Sequence, residues 1–408
     1  MINIVSFNGG RGARNLIPTL AKMEGVNITS IVNAYDDGKS TGILRSFFKM
    51  LGPSDIRKVQ ETLVPNTLQD YNSIMKLYEF RYPLNANRND ILVGIKEFAE
   101  GSTSLISGVV INDPIIKKTL QRFLLKFYNA VLIIEKAENK ELSFVDCSIM
   151  NLIYAGAFLD AAGNFEDAVI AIGKLFRING YVLPTNLEDK KLVAIREDGT
   201  ILYNEAEIVE LRSNVRIKKI YLLDAYPDKE IVSNMNIAEV EEYFETMNRQ
   251  VSITPHVKRS IDDADIIIYS SGTQHSSLYP SYMTVGLTDA IVANKKALKI
   301  FVTNIGEDYE TPSYTANDFL VGAIRYLRLG SEFTVAVNDI INAALVNNRF
   351  SNKLENYVTF DEHELTQHGC KIIIDAFEDI NNPGKHHGEN LAQTILNLYL
   401  SKEGYEKN

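Results

Sequence analysis

Two adjacent carboxylates, Asp36 and Asp37, follow directly on an apolar run containing Ile28, Ile31 and Val32. Neighbouring carboxylates beyond a strand suit a divalent cation that bridges phosphate oxygens, or a metal ligand beside a general base. Next comes a small, flexible segment, Gly38, Lys39, Ser40, Thr41 and Gly42, and then Ser54, Asp55 and Arg57. Small, polar and charged residues clustered after a strand mark a candidate site, because loops at strand ends carry function. The competing reading is a solvated turn whose polar residues cap a helix. Asp55 and Arg57 divide the same way, between site residues and an N-cap with a surface ion pair.

A glycine-rich run precedes this stretch: Gly9, Gly10, Arg11, Gly12, Ala13, Arg14 and Asn15. Gly10 and Gly12 match the first two glycines of the dinucleotide fingerprint, with Asn15 where the third belongs. Amides at a helix N-terminus would cradle a diphosphate there, with Arg11 and Arg14 adding charge. A tight strand-to-helix turn that needs glycine dihedrals explains the run equally well. Asp36 lies about 20 residues further on, where a nicotinamide enzyme binds ribose, but a second Asp suits that role less well. Gly38-Lys39-Ser40 resembles the end of a P-loop, yet Asn33 stands where the leading glycine belongs. Asp36 and Asp37 inside that cradle would also repel phosphate.

A third polar loop, residues 270–277, follows another apolar run. Its Gly272, Thr273 and Ser276 suit hydrogen bonds to a phosphate or sugar. His275 lies there without the nucleophile elbow of a serine hydrolase. His363, His368, His386 and His387 show no metal-ligand pattern and are expected at the surface.

The elements that must hold these loops are partly legible. Residues 2–7 are short, apolar and β-branched, Leu16, Ile17, Leu20 and Met23 recur at helical spacing, and residues 27–33 give a second strand. This βαβ opening builds a parallel sheet. Residues 54–180 read as mainly helical, with 84–142 a helical insertion. Segments 192–195 and 201–203 flank Asp198-Gly199 and predict a hairpin, followed by a strand at 217–223 and a surface helix over 233–247. The sheet resumes at 265–269 and 298–303, with helices over 281–293, 318–329 and 390–400 and a late strand at 371–374. The fold class expected is α/β: a doubly wound, mostly parallel Rossmann-like sheet, with a small β-hairpin region, in a single domain over 1–408.

Composition narrows the partners. The chain has 408 residues, 45% of them hydrophobic, and a net charge of -10. Such an acidic surface argues against nucleic acid. No uncharged apolar run reaches about 18 residues, so no membrane span is expected. Cys147 and Cys370 are far apart and read as buried thiols in a reducing cytoplasm. A homodimer is compatible with the sequence.

The order of the motifs is similar to the family of 2-phospho-L-lactate transferase (CofD) and the uridine-sugar-binding gluconeogenesis factor (YvcK). Gly9-Gly10-Arg11-Gly12, Asp36-Asp37-Gly38 and Ser54-Asp55-Ile56-Arg57 resemble its GGGTG, DDGGSSG and GDIR. The run RINGYVLPT at 177–185 resembles RGRVLPAT, residues 265–281 resemble a strand followed by GPGSLYTSILPN, and residues 304–318 resemble N-x-x-x-x-x-GET-x-x-YTA-x-D. Lys39 and Ser54 stand where the family has glycine, Ser270 and Ser271 replace Gly-Pro, and His275 replaces Tyr. The family's GHSLGN appears as DCSIMN at 146–151, keeping Ser148 and Asn151.

The resemblance implies a nucleoside diphosphate-linked small molecule held by Gly9, Gly10, Gly12, Ser40, Asp55, Asn151, Gly272, Thr273, Ser276 and Asn304. Asp36 and Asp37 would hold Mg²⁺ and, with Arg57, act in phosphoryl transfer. The activity it implies first moves a phospho-acid group to an acceptor hydroxyl with release of a nucleoside monophosphate. The alternative it implies is a non-catalytic regulator that binds a uridine-diphosphate sugar. A nicotinamide-dependent oxidoreductase is the third reading, and the missing third glycine and paired aspartates count against it.

Overall fold

Strand β1 (Ile2–Asn8) alternates β-branched and aromatic side chains into both faces, and five of its seven residues are buried. That pattern suits a strand with parallel neighbours on both sides. It pairs in parallel with β2 (Val26–Val32) on one side and with β7 (Ile266–Tyr269) on the other. Outside β2 lies β3 (Tyr181–Pro184), and outside β7 lie β8 (Leu298–Val302), β9 (Ala343–Asn347) and β10 (Lys371–Asp375). All six pairings of this seven-stranded sheet are parallel. The chain is a doubly wound α/β structure. The computed structural model describes residues 1–408 apart from 13, 102–104, 352, 353, 355, 407 and 408. Ala13 of the glycine run and part of the 84–142 segment therefore lie outside the described residues.

Strands β4 (Lys191–Arg196), β5 (Ile201–Leu202) and β6 (Ile217–Leu223) form a separate antiparallel sheet in the order β5-β4-β6. The expected hairpin is present, with Gly199 at φ +86° in its turn. A second cluster around Val193, Tyr221 and Phe244 packs this sheet against helix Ile237–Met247.

One expectation needs correction, and three further elements have no counterpart in the sequence reading. The helix expected over 281–293 is broken: a π-helical turn, Gln274–Leu278, leads into Tyr279–Tyr282, and a new helix starts at Leu287. Gly286, at φ +83°, makes the break. Strands β3 and β9 were not anticipated. β3 ends in Pro184, which an edge strand tolerates, and β9 is short and rich in small residues. The helix Pro255–Asp262 was also missed, although Thr254 caps it and proline opens it.

The helical region runs through Tyr71–Glu79, Arg88–Ala99, Pro114–Glu138, Ile149–Asp160 and Phe165–Leu175. Asp113 caps the longest of these, accepting from Ile115 and Ile116 amides. Its Leu120, Phe123 and Phe127 belong to the same contiguous core as Ile4 and Ile266. Contact with the next helix is close: a Cβ on Gly156 would lie 2.1 Å from the Phe123 carbonyl oxygen. Gly156→Ala must push these helices apart. Overpacking of this kind should lower unfolding free energy by about 1–3 kcal/mol, read from a urea transition. An unchanged midpoint would show that this helix pair adjusts freely.

Candidate functional site

A sheet that is wound both ways has a crevice at the carboxyl ends of the strands where the winding reverses. Here the reversal lies between β1 and β7. The loops after β1, β2, β7 and β8 therefore converge on one cleft of about 950 Å³.

The acidic loop after β2 is set by α2 (Lys39–Phe48), whose Arg45 is 1% exposed. One guanidinium nitrogen donates to the Tyr35 carbonyl at 2.7 Å and the Asp36 carbonyl at 3.2 Å. The other donates to Asp189 at 2.6 Å and the Lys190 carbonyl at 2.9 Å. Asp37 turns its carboxylate toward Arg45 at 3.6 Å, and its amide donates to Glu205 at 3.0 Å. Asp36 turns the other way and lines the cleft. The two adjacent carboxylates diverge, so they do not form one paired ligand set.

The glycine turn after β1 meets the loop after β7. A Cβ on Gly12 would lie 2.3 Å from the Ser271 carbonyl oxygen and 2.6 Å from the Gly272 Cα. Only glycine permits that approach. Gly272 exchanges two hydrogen bonds with the Asn304 side chain beyond β8, at 2.9 and 3.1 Å. Thr273 donates to Ser277 at 2.9 Å, and Ser277 to Asp55 at 3.0 Å. Buried Glu310 accepts from the His275 and Ser276 amides, each at 2.9 Å, and from the Ser276 hydroxyl.

Helix α3 (Ser54–Leu63) brings up Asp55, Arg57 and Lys58. Lys58 donates to Asp55 at 2.8 Å and lies 3.9 Å from Asp36. Burial, and then the charge of Asp55, push the Asp36 carboxyl above its ordinary range. Burial and Asp36 do the same to Glu205. Burial opposes the charge of Lys58, but Asp55 and Asp36 outweigh it and raise its pKa. Arg57 donates to the Tyr78 carbonyl at 2.8 Å, and burial lowers its pKa.

Gly9, Gly10, Gly12, Asp36, Asp55, Arg57, Gly272, Thr273, Ser276 and Asn304 all line the cleft. Ser40 and Asn151 do not: they meet at 3.3 Å beneath it, both buried, and fix α2 against helix Ile149–Asp160. Among the described residues no three His, Cys, Asp or Glu side chains converge as a metal site. His275 is buried with no partner on Nδ1, and burial pulls its pKa down to about 3, so it serves no triad. His386, expected at the surface, is instead buried in the cleft wall. Its ring lies 3.3 Å from Ser271, and its carbonyl accepts from Asn15 at 2.9 Å. Sequence reasoning also missed Lys58, Arg81 and Glu205. Lys58 was detectable, one helical turn after Asp55; Glu205 and residues 382–386, which also line the cleft, arrive by tertiary folding alone.

The family model for "2-phospho-L-lactate transferase CofD" matches residues 4–378. The chain belongs to the CofD family. A putative gluconeogenesis factor of Thermoanaerobacterium thermosulfurigenes is 26% identical over 97% of this chain and 96% of its own. The gluconeogenesis factor of Bacillus subtilis is 24% identical, covering 96% of each. A crystal structure of a Bacillus halodurans protein superposes with a TM-score of 0.67 at 22% identity, covering 97% of this chain and 99% of that one. Against the CofD family motifs, Lys39 takes φ +47°, a conformation suited to the glycine it replaces. Ser54 replaces another glycine and, like Asp36, lines the cleft.

Glu310 falls on the Glu of the family's GET motif. Burial, reinforced by Asp308, raises its pKa from 4.5 to about 8. A carboxyl raised on folding favours the protonated fold. Its contribution is complete below the unfolded value and is lost as pH rises toward about 8. The melting temperature of the wild type should therefore fall between these limits more steeply than that of Glu310→Gln. Superimposable pH profiles would remove Glu310 as the cause.

Proposed function

We propose that this chain is a gluconeogenesis-factor-type protein whose cleft binds a nucleoside diphosphate-linked small molecule, a uridine-diphosphate sugar, without turning it over. The observation that carries this reading is the contact of two glycine turns at the winding reversal. Gly12 and Gly272 come together so that backbone and hydroxyl donors face the cleft, whose wall also carries Arg11, Arg14, Arg57, Lys58 and Arg81. Divergence of Asp36 and Asp37 supports binding over chemistry, because the carboxylate pair suited to a catalytic metal is split. The names of the full-length relatives point the same way. Two buried free cysteines are consistent with a cytoplasmic setting.

A second reading follows from the family description. In it the chain is a transferase that passes a phospho-acid group to an acceptor hydroxyl and releases a nucleoside monophosphate. Asp36 would then hold Mg²⁺ together with the ligand's phosphates, and Arg57 in the same wall would offset charge.

The readings separate in one assay. Uridine-diphosphate glucose at a hundred-fold excess over Kd should stabilise the fold by about 2.7 kcal/mol in a thermal shift. The sugar nucleotide should be recovered intact after overnight incubation with Mg²⁺. Gly12→Val, which wedges the two turns apart, should abolish the shift. Release of uridine monophosphate would establish turnover instead. Absence of a shift with any nucleoside diphosphate would sink both readings.

A further inference from the structure

The cleft holds two carboxylates that face each other across a lysine. Asp55 Oδ1 receives the Lys58 ammonium at 2.8 Å, and Asp55 Oδ2 receives the Ser277 hydroxyl at 3.0 Å. Asp36 Oδ1 receives the Gly38 amide at 3.2 Å, and Asp36 Oδ2 lies 3.9 Å from the same ammonium. Each of the four oxygens already faces a donor. Magnesium needs near-ideal octahedral geometry at about 2.0–2.1 Å and gives up its waters reluctantly. It would have to displace the ammonium and reorganise both carboxylates.

The lysine is also in the right place to meet a phosphate. Its Cδ lies 3.4 Å from where a Cβ on Gly10 would be, so its stem runs alongside the glycine turn. Its head group stays partly open, with the side chain 26% exposed. An ammonium has three donors. Asp55 takes one, while Asp36 at 3.9 Å attracts the charge without accepting a hydrogen bond, which leaves donors for an anionic oxygen held against the amides of the turn.

We propose that the Lys58 ammonium occupies the place of the divalent cation in this cleft, so that the chain binds a diphosphate without metal. The lysine supplies a fixed positive charge, and the aspartates position it by salt bridges. The ligand half of this inference rests on the nucleotide-binding reading above; the metal half rests only on Lys58 and the two carboxylates.

The test follows both halves separately. Mn²⁺ is titrated into the full-length chain and free ion is read by electron paramagnetic resonance. The wild type should take up none at the cleft, whereas Lys58→Met should bind one ion that is lost again on adding Asp36→Asn. Lys58→Gln repeats the measurement should the first variant not fold by circular dichroism. In parallel, the affinity for uridine diphosphate is measured by calorimetry in EDTA and in Mg²⁺. Wild-type Kd should be the same in both, and Lys58→Met should weaken it about tenfold in EDTA and recover in Mg²⁺. Cleft-bound Mn²⁺ in the wild type, no Mn²⁺ in the lysine variants, or EDTA-sensitive wild-type binding each overturns the proposal. Failure of uridine diphosphate to bind at all defeats the nucleotide reading and leaves the Mn²⁺ result to decide the role of Lys58.

Discussion

A guanidinium sealed from water holds the acidic loop in shape. Burying a charge costs several kcal/mol unless partners surround it, so every group that pairs with Arg45 is held in place by that cost. Those partners are the Tyr35 and Asp36 carbonyls, the Asp37 and Asp189 carboxylates and the Lys190 carbonyl. They come from the loop after β2 and from the segment that enters β4, so Arg45 also ties the main sheet to the small one. The consequence for the site is directional. Asp37 is spent on the anchor, and its amide is spent on Glu205, which leaves Asp36 alone to face the cleft.

The opposite wall is also built around a buried titratable side chain, but a carboxyl whose pKa burial raises to about 8. Glu310 is buried and collects two amides and a hydroxyl from the π-helical turn after β7. The two walls are then laced together. Asn33 donates to the Ser276 carbonyl at 2.8 Å, and Ser277 donates to Asp55 at 3.0 Å. Hydrogen bonds are stronger in a low-dielectric interior, so these cross-links stiffen the cleft. Such a cleft is organised before any ligand arrives, which lowers the ordering cost of binding.

Much of this was legible in the chain, and the reasons for the rest are physical. Strands β1, β2, β7 and β8 announce themselves because burial on both faces forces continuous β-branched runs. Edge strand β3 carries a proline and an exposed tyrosine, and β9 has too little side-chain bulk to signal anything. Residue type marked the glycines, Asp36, Asp55 and Arg57 as site candidates, because loops at strand ends have few other places to go, and the family resemblance added Asn304; all of them line the cleft. It could not separate Asp36 from Asp37, since that choice is made by Arg45 through three-dimensional contact. Nor could it retrieve His386, which reaches Ser271 across 115 residues of chain. The expectation that Ser40 and Asn151 touch ligand came from motif order; packing gives both of them to a helix contact under the floor.

The departures from the family motifs are not independent of one another. Lys39 sits in a left-handed conformation that costs a non-glycine residue about 1–2 kcal/mol. Its ammonium reaches Asp146 at 3.0 Å, and Asp146 opens the segment where the GHSLGN motif has been rewritten. Arg81, which lines the cleft, binds the same Asp146 at 2.6 Å. An exposed ion pair contributes roughly 0–1 kcal/mol, too little to offset the strain alone. What the triad of Lys39, Asp146 and Arg81 does supply is a second array of positive charge at the rim, beyond the lysine between the aspartates. Lys39 and Asp146 thus answer each other at the rim, while the Gly12–Gly272 contact of the floor is left intact.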